Sequence, residues 1–197
     1  FGRNRNRYMR SKTVSGSRPR GAPGEVSNLG SNRQDGPMEL PDFHIPHAEK
    51  IEWMIETSGW ALEPVSPRSD TDPPTPAYSY TIGVPALVGF SDVAVFGLKP
   101  AAANGLIGLV VDALRGATEI PLGAELLGLL DNDLRCMFAP IDTLEFGALF
   151  GTAAAWYRGT EFSMVQMYYP DRNGFMPYET GFERRMRLAQ PVIGAVG

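Results

Sequence analysis

The sequence predicts an α+β domain built on a mixed or mainly antiparallel sheet with packed helices, preceded by an extended basic arm; a split-barrel-like arrangement is the alternative topology. Five short runs rich in β-branched and aromatic residues read as strands, and three or four segments carry apolar residues at helical spacing. Strands interspersed with helices in this way suggest a mixed sheet with the helices on one side. The third observation is a sharp change of composition near residue 38. Residues 1–37 hold six glycines and three prolines among many serines, asparagines and arginines. Residues 38–197 carry the apolar patterns of a single α+β domain with a mostly irregular C-terminal end.

The opening stretch cannot bury enough apolar surface to offset the entropy lost on ordering its backbone, which marks it as an arm. Its basic residues are Arg3, Arg5, Arg7, Arg10, Lys12, Arg18, Arg20 and Arg33, against only Glu25 and Asp35. The other 160 residues reverse the balance with ten basic and twenty acidic side chains, so the net charge of -4 conceals a basic arm on an acidic body.

Along the body, Ile51, Met54 and Ile55 recur at helical spacing after Pro46, with Glu49, Glu52 and Glu56 offset from them, and Gly59 stops the run. Trp60–Val65 reads as a strand cut off by Pro67 and by the polar, proline-rich loop 68–76. Residues 77–84 alternate and are rich in β-branched and aromatic side chains, and 93–97 form another short apolar strand. Pro100 suits the first turn of the clearest helix, 101–114, which Gly116 would end. Residues 121–130 read as partly helical despite Gly123 and Gly128. A strand follows at 135–141, then a helix at 144–157 whose Gly147 and Gly151 permit close packing. The last strand, 162–169, ends at Pro170.

Candidate functional residues are few. Tyr78 and Tyr80 stand two apart on a strand and therefore share a face, with Ser79 and Thr81 on the other. Two phenols there can line a pocket or donate to an oxyanion, although sheet packing accounts for them as well. Gln166 interrupts an apolar strand and must find partners if buried. Asp171 precedes an Asn-Gly turn, where capping local amides competes with contacting a ligand. These four form the ligand-pocket set.

Asp42, His44 and His47 offer metal-ligand chemistry, but Pro46 disrupts their spacing and no metal signature surrounds them. No H-E-x-x-H, Walker A or G-x-S-x-G sequence occurs, so no metal or cofactor is expected. Cys136, the only cysteine, excludes an intrachain disulfide and favours a reducing, cytoplasmic setting; it reads as a small buried hydrophobe. Asp131 and Asp133 beside Arg135 read as a charge-compensated loop. No run approaches the roughly 20 apolar residues needed to cross a bilayer, so no transmembrane anchoring is expected.

Gly59-Trp60, the stretch PTPAYSYTIG at 74–83, Val95-Phe96-Gly97-Leu98, Gln166 and the run Tyr169-Pro170-Asp171-Arg172-Asn173-Gly174-Phe175-Met176-Pro177 occur in this order. Together they resemble the bacterial family called domain of unknown function 4262, over roughly residues 42–180. The resemblance implies a domain boundary that leaves the basic arm outside, and it brings no activity, cofactor or catalytic residue with it. Members commonly carry a Gly-His-Pro-Glu-like turn where this chain has Gly89-Phe90-Ser91-Asp92, so any chemistry of that histidine does not transfer.

These features rank an interaction or accessory assembly role first, with Arg3, Arg5, Arg7, Arg10, Lys12, Arg18 and Arg20 docking on a protein partner or larger assembly. A small-molecule binder or enzyme with a pocket near Tyr78, Tyr80 and Gln166 is the alternative. Nucleic-acid binding through the arm ranks third, because the body is acidic.

Overall fold

The computed structural model describes residues 46–196, so the predicted arm with its seven candidate partner-binding residues lies outside the described residues, as do Asp42 and His44. The elements in chain order are α1 (His47–Ser58), β1 (Ala61–Val65), β2 (Tyr78–Ile82), α2 (Val84–Val88), β3 (Asp92–Phe96) and α3 (Pro100–Arg115). They continue with β4 (Glu125–Leu126), β5 (Cys136–Ile141), α4 (Thr143–Phe146), α5 (Gly151–Trp156), β6 (Met164–Tyr168) and α6 (Arg184–Ala189). The strands make one six-stranded sheet in the order β1-β2-β3-β6-β5-β4. Only β3 and β6 are parallel, and the other neighbours are antiparallel. The sheet is therefore mixed, mostly antiparallel, and not closed into a barrel. Parallel neighbours need a long crossover, and here α3, β4, β5, α4 and α5 all lie between them in the chain.

Strands β2, β3 and β6 are buried at every position. That explains why β3 and β6 read as near-continuous apolar runs rather than alternating ones. Val93, Val95, Val165, Met167, Cys136 and Phe138 pack against Ala103, Ile107, Val110 and Val111 of α3. The other set, Tyr78, Tyr80, Ile82, Ala94, Phe96 and Met164, packs with Ile51 of α1, Phe150, and Ala153 of α5. Helices thus cover both faces, which corrects the one-sided expectation. A strand that is apolar on both sides has no face to leave in water. Edge strand β1 does alternate, and its exposed Pro64 removes a backbone donor there.

Several boundaries differ from the sequence expectation. The segment 121–130 is not helical: Gly123 and Gly128 adopt left-handed φ values of 73° and 83° that interrupt a helix, and the two-residue β4 forms instead. The predicted helix 144–157 is three pieces, α4, a 3-10 turn at Gly147–Phe150, and α5. Nothing lies within 4 Å of where a Cβ would stand at Gly147 or Gly151, so neither glycine serves close packing. Strand β2 ends earlier than expected, where Gly83 at φ 103° turns the chain into α2. Gly59 does end α1, at φ 84°, and a Cβ there would meet Leu87 Cδ1 at 2.7 Å. Cys136 is fully buried, and burial pushes its thiol up to about 11. Arg135 turns away from the loop aspartates to Glu125 and Glu179.

Beyond β6 the chain returns as α6 and a final extended segment laid over the sheet. Gln166, 0% exposed at the centre of β6, fastens it. Its Nε2 donates to Pro191 O at 2.6 Å, and its Oε1 accepts from the amides of Ile193 and Gly194, each at 3.0 Å. Gly194 lets the segment come close, since a Cβ there would meet Ala139 O at 2.8 Å. Tyr168 adds a hydroxyl donation to Gly194 O at 2.9 Å. Gln166→Leu would keep the volume roughly and strand two amides, that of Gly194 buried, and a carbonyl. We expect it to lower the unfolding free energy by about 2–4 kcal/mol in urea denaturation. A loss under about 1 kcal/mol would contradict the fastening role.

Candidate functional site

Tyr78 and Tyr80 share the sheet face that α1 and α5 cover, and Glu63 of β1 stands opposite Tyr80 in the antiparallel register. Sequence position alone separates the partners of that carboxylate widely, but the fold brings three elements onto it. His47 at the start of α1 places Nε2 3.0 Å from Oε1, and Thr152 at the start of α5 donates to the same oxygen at 3.0 Å. His47 Nε2 also lies 3.0 Å from Oε2, yet its hydrogen bond goes to Oε1. Oε2 is left buried with no hydrogen-bond partner among the described residues. Glu63 as a whole is only 8% exposed. An ionised carboxylate can accept about four hydrogen bonds, so this one is under-supplied. A buried acceptor in that condition is costly.

Two clefts meet here. One, of about 430 Å³, has Glu63, Arg68, Thr71, Tyr78, Tyr80 and Thr152 in its walls. The other, of about 720 Å³, runs between α1 and α5 past His47, Ile51, Glu52, Ala155, Trp156 and Arg158. Gly151 and Thr152 belong to both walls. Because Gly151 has no side chain and open space where a Cβ would point, it keeps the junction clear.

The charge in the smaller cleft is uneven. Arg68 is its one cationic wall residue, and it is engaged by Asp70 through contacts of 3.2 Å and 2.9 Å. Tyr78 donates its hydroxyl to Leu149 O at 2.6 Å. Burial, with lesser help from Tyr80 and Glu63, pushes the Tyr78 phenol up to about 12. Burial also raises Tyr80, while the Thr152 hydroxyl and the amides of Thr152 and Ala153 pull it part of the way back. Both phenols therefore stay neutral near pH 7.

The ligand-pocket set expected from sequence is divided by the fold. Tyr78 and Tyr80 join Glu63 at the cleft. Gln166 sits in the same cross-strand row, through Tyr80, Ala94 and Gln166, but lies beneath the C-terminal segment and lines neither cleft. Asp171 is buried in its own turn, accepting from the amides of Asn173, Phe175 and Glu183 at 2.8–3.0 Å. Burial pushes its carboxyl up, and these three amides outweigh that, so its pKa is lowered. His47 of the metal set serves Glu63. No group of three or more His, Cys, Asp or Glu able to hold a metal occurs among the described residues. Among them, no helix is long and apolar enough to cross a membrane.

Sequence reasoning missed Glu63, Thr152 and Asp92. The available signal for Glu63 was its place in Ala61-Glu63-Val65, which puts a carboxylate on the inward side of a strand. Asp92 is fully buried at the start of β3. It accepts from the Thr81 hydroxyl at 2.7 Å, the Val84 amide at 3.1 Å and the Tyr157 hydroxyl at 2.5 Å. That network ties the end of α5 to the turn after β2, and Tyr157 in turn accepts from Gly83 N at 3.0 Å.

A family model described as Domain of unknown function (DUF4262) matches residues 54–183. No curated protein and no solved structure matches the chain. The matched span contains Glu63, Tyr78, Tyr80, Asp92 and Thr152, and His47 precedes it.

Burial raises the Asp92 carboxyl above its ordinary value of 3.8, against the pull of its three donors. The folded state then holds this proton more tightly than the unfolded chain. The contribution is therefore full below the ordinary value and is lost as pH rises through the raised one. Comparing thermal midpoints from about pH 4 to 7, the parent should lose stability relative to Asp92→Asn as pH rises. Parallel profiles would contradict this assignment.

Proposed function

The chain belongs to the family described as a domain of unknown function (DUF4262), and from that premise we propose that it binds a small molecule in the cleft over Glu63. The carrying observation is the buried Oε2 of Glu63, a residue in the wall of a concave site, which has no hydrogen-bond partner among the described residues. Ligand sites join apolar and aromatic walls to a few convergent polar groups, and Tyr78, Tyr80, Thr152 and Glu63 have that character. Relative to the sequence expectation, the two tyrosines stay and Glu63 takes the place of Gln166.

Gly151→Leu gives a clean test. Its backbone is right-handed helical, at φ -57°, and nothing lies within 4 Å of the Cβ position, so leucine fills the cleft and spares the core. In a fragment screen read by amide NMR, binders should move the resonances of Glu63, Tyr80 and Thr152. Gly151→Leu should weaken those binders at least tenfold, about 1.4 kcal/mol. Fragments that bind the variant equally well, or a diverse library that moves none of these resonances, would sink the reading.

The charge division of the sequence supports a second reading, in which the basic arm docks on a protein partner or larger assembly. Arg3, Arg5, Arg7 and Arg10 are its densest cluster and would dominate the electrostatic attraction. The acidic body repels nucleic acid, which places DNA or RNA behind a protein partner. Pulldowns at physiological salt with the full chain and with residues 38–197 separate these outcomes. One defined protein complex recovered only with the arm is expected. Equal recovery without it, or retention of nuclease-sensitive material, would count against this reading.

A further inference from the structure

The charge around Glu63 narrows what the cleft can hold. Arg68 is turned to Asp70, and Tyr78 spends its proton on Leu149 O. Among the described residues Oε1 takes two hydrogen bonds and Oε2 none, with His47 Nε2 standing 3.0 Å from Oε2. The only basic side chain against this carboxylate among the described residues is His47, which is 57% exposed on its side chain and opens onto the larger cleft. Glu52 adds another carboxylate to that cleft, and Arg158 stands in its wall as well.

Resting on the cleft reading above, we infer that the ligand is an organic cation, a primary ammonium or guanidinium attached to an apolar or aromatic body. Its nitrogen displaces the His47 imidazole and donates to Oε2 of Glu63. Its body lies along Ile51, Ala155 and Trp156 in the larger cleft, which the smaller one meets at Gly151 and Thr152. The chemistry favours this class over its neutral and anionic analogues. An alcohol has one proton for Oε2 and leaves the carboxylate charge uncompensated in a partly dry site. A carboxylate ligand is repelled by Glu63, and Glu52 offsets the attraction of Arg158. An ammonium brings three donors and the missing charge, and aromatic neighbours favour cations further.

The full chain can be titrated with three probes of similar shape: 2-phenylethylamine, which is an ammonium at pH 7, 2-phenylethanol, and 3-phenylpropionate. The amine should move the Glu63, Tyr80 and Thr152 amides and the Trp156 indole, and should bind at least about tenfold more tightly than the alcohol. Propionate should leave them unmoved. Glu63→Gln should erase the preference for the amine, and His47→Ala should keep or strengthen it. Equal binding of alcohol or propionate overturns the cation class while leaving the cleft standing as a binding site. Amine binding undiminished by Glu63→Gln also overturns it. Silence from all three probes overturns it too, and the Gly151→Leu screen then decides separately whether the cleft binds anything. The three-probe comparison on the parent chain needs no variant, so a folding defect in Glu63→Gln would not rescue the inference.

Discussion

Three adjacent strands, β2, β3 and β6, are buried on both faces, and the rest of the domain answers to that constraint. A sheet with no wet side needs two covers. Helix α3 supplies one with its stripe of Ala103, Ile107, Val110 and Val111. The other cover is assembled from pieces: α1, the broken segment α4 to α5, and the C-terminal segment. Aromatic contacts lock part of it, with the Phe150 ring edge-on to Tyr78 and Tyr80 at 6.4 Å and 5.2 Å. Extended backbone laid on a sheet brings polar groups into a dry place. Gln166 answers them, accepting from two amides and donating to one carbonyl.

A cover made of pieces leaves joints, and the cleft between α1 and α5 meets, at Gly151 and Thr152, the smaller cleft that Glu63 lines. The helix starts that approach Glu63 bring the His47 imidazole and the Thr152 hydroxyl to 3.0 Å from the same oxygen. A leucine or valine at this position would satisfy the packing requirement at lower cost, because a buried carboxylate must be compensated. The same face shows a buried carboxylate with both oxygens engaged: Asp92 has three donors spread over them. Among the described residues Glu63 has two hydrogen-bond partners on Oε1 and none on Oε2, and its side chain lines a cleft. On the proposed reading, that contrast separates a structural tie at Asp92 from a recognition point at Glu63. Sites of recognition are where proteins retain such locally unfavourable arrangements.

The fold was legible wherever one local pattern decided the outcome. Pro100 and the spacing Ala103, Ile107, Val110 and Val111 marked α3, and β-branched or aromatic runs marked β1, β2, β3, β5 and β6. The covering of the second face was not legible, because a strand buried on both sides carries no record of which side receives which helix. Gly147 and Gly151 looked like packing glycines, yet they mark the breaks in a segment that bends across the sheet. Gln166 was correctly singled out as a polar residue needing partners, but those partners are backbone groups at 191–194, in a stretch whose composition suggests nothing. Glu63 is not legible, because its partners lie 16 and 89 residues away. Pairings of that range are set by tertiary structure, which no local window contains.

The central claim concerns one oxygen atom, so the most direct measurement watches its own carbon. With glutamate labelled at the side-chain carboxyl carbon and Glu63 assigned through Glu63→Gln, its resonance can be followed as a cleft ligand is titrated. A recognition role for Oε2 predicts that the Glu63 signal moves in proportion to binding, while Glu179, held by Arg135 outside the clefts, stays fixed. A Glu63 signal that stays still while amides elsewhere report saturation would contradict the account.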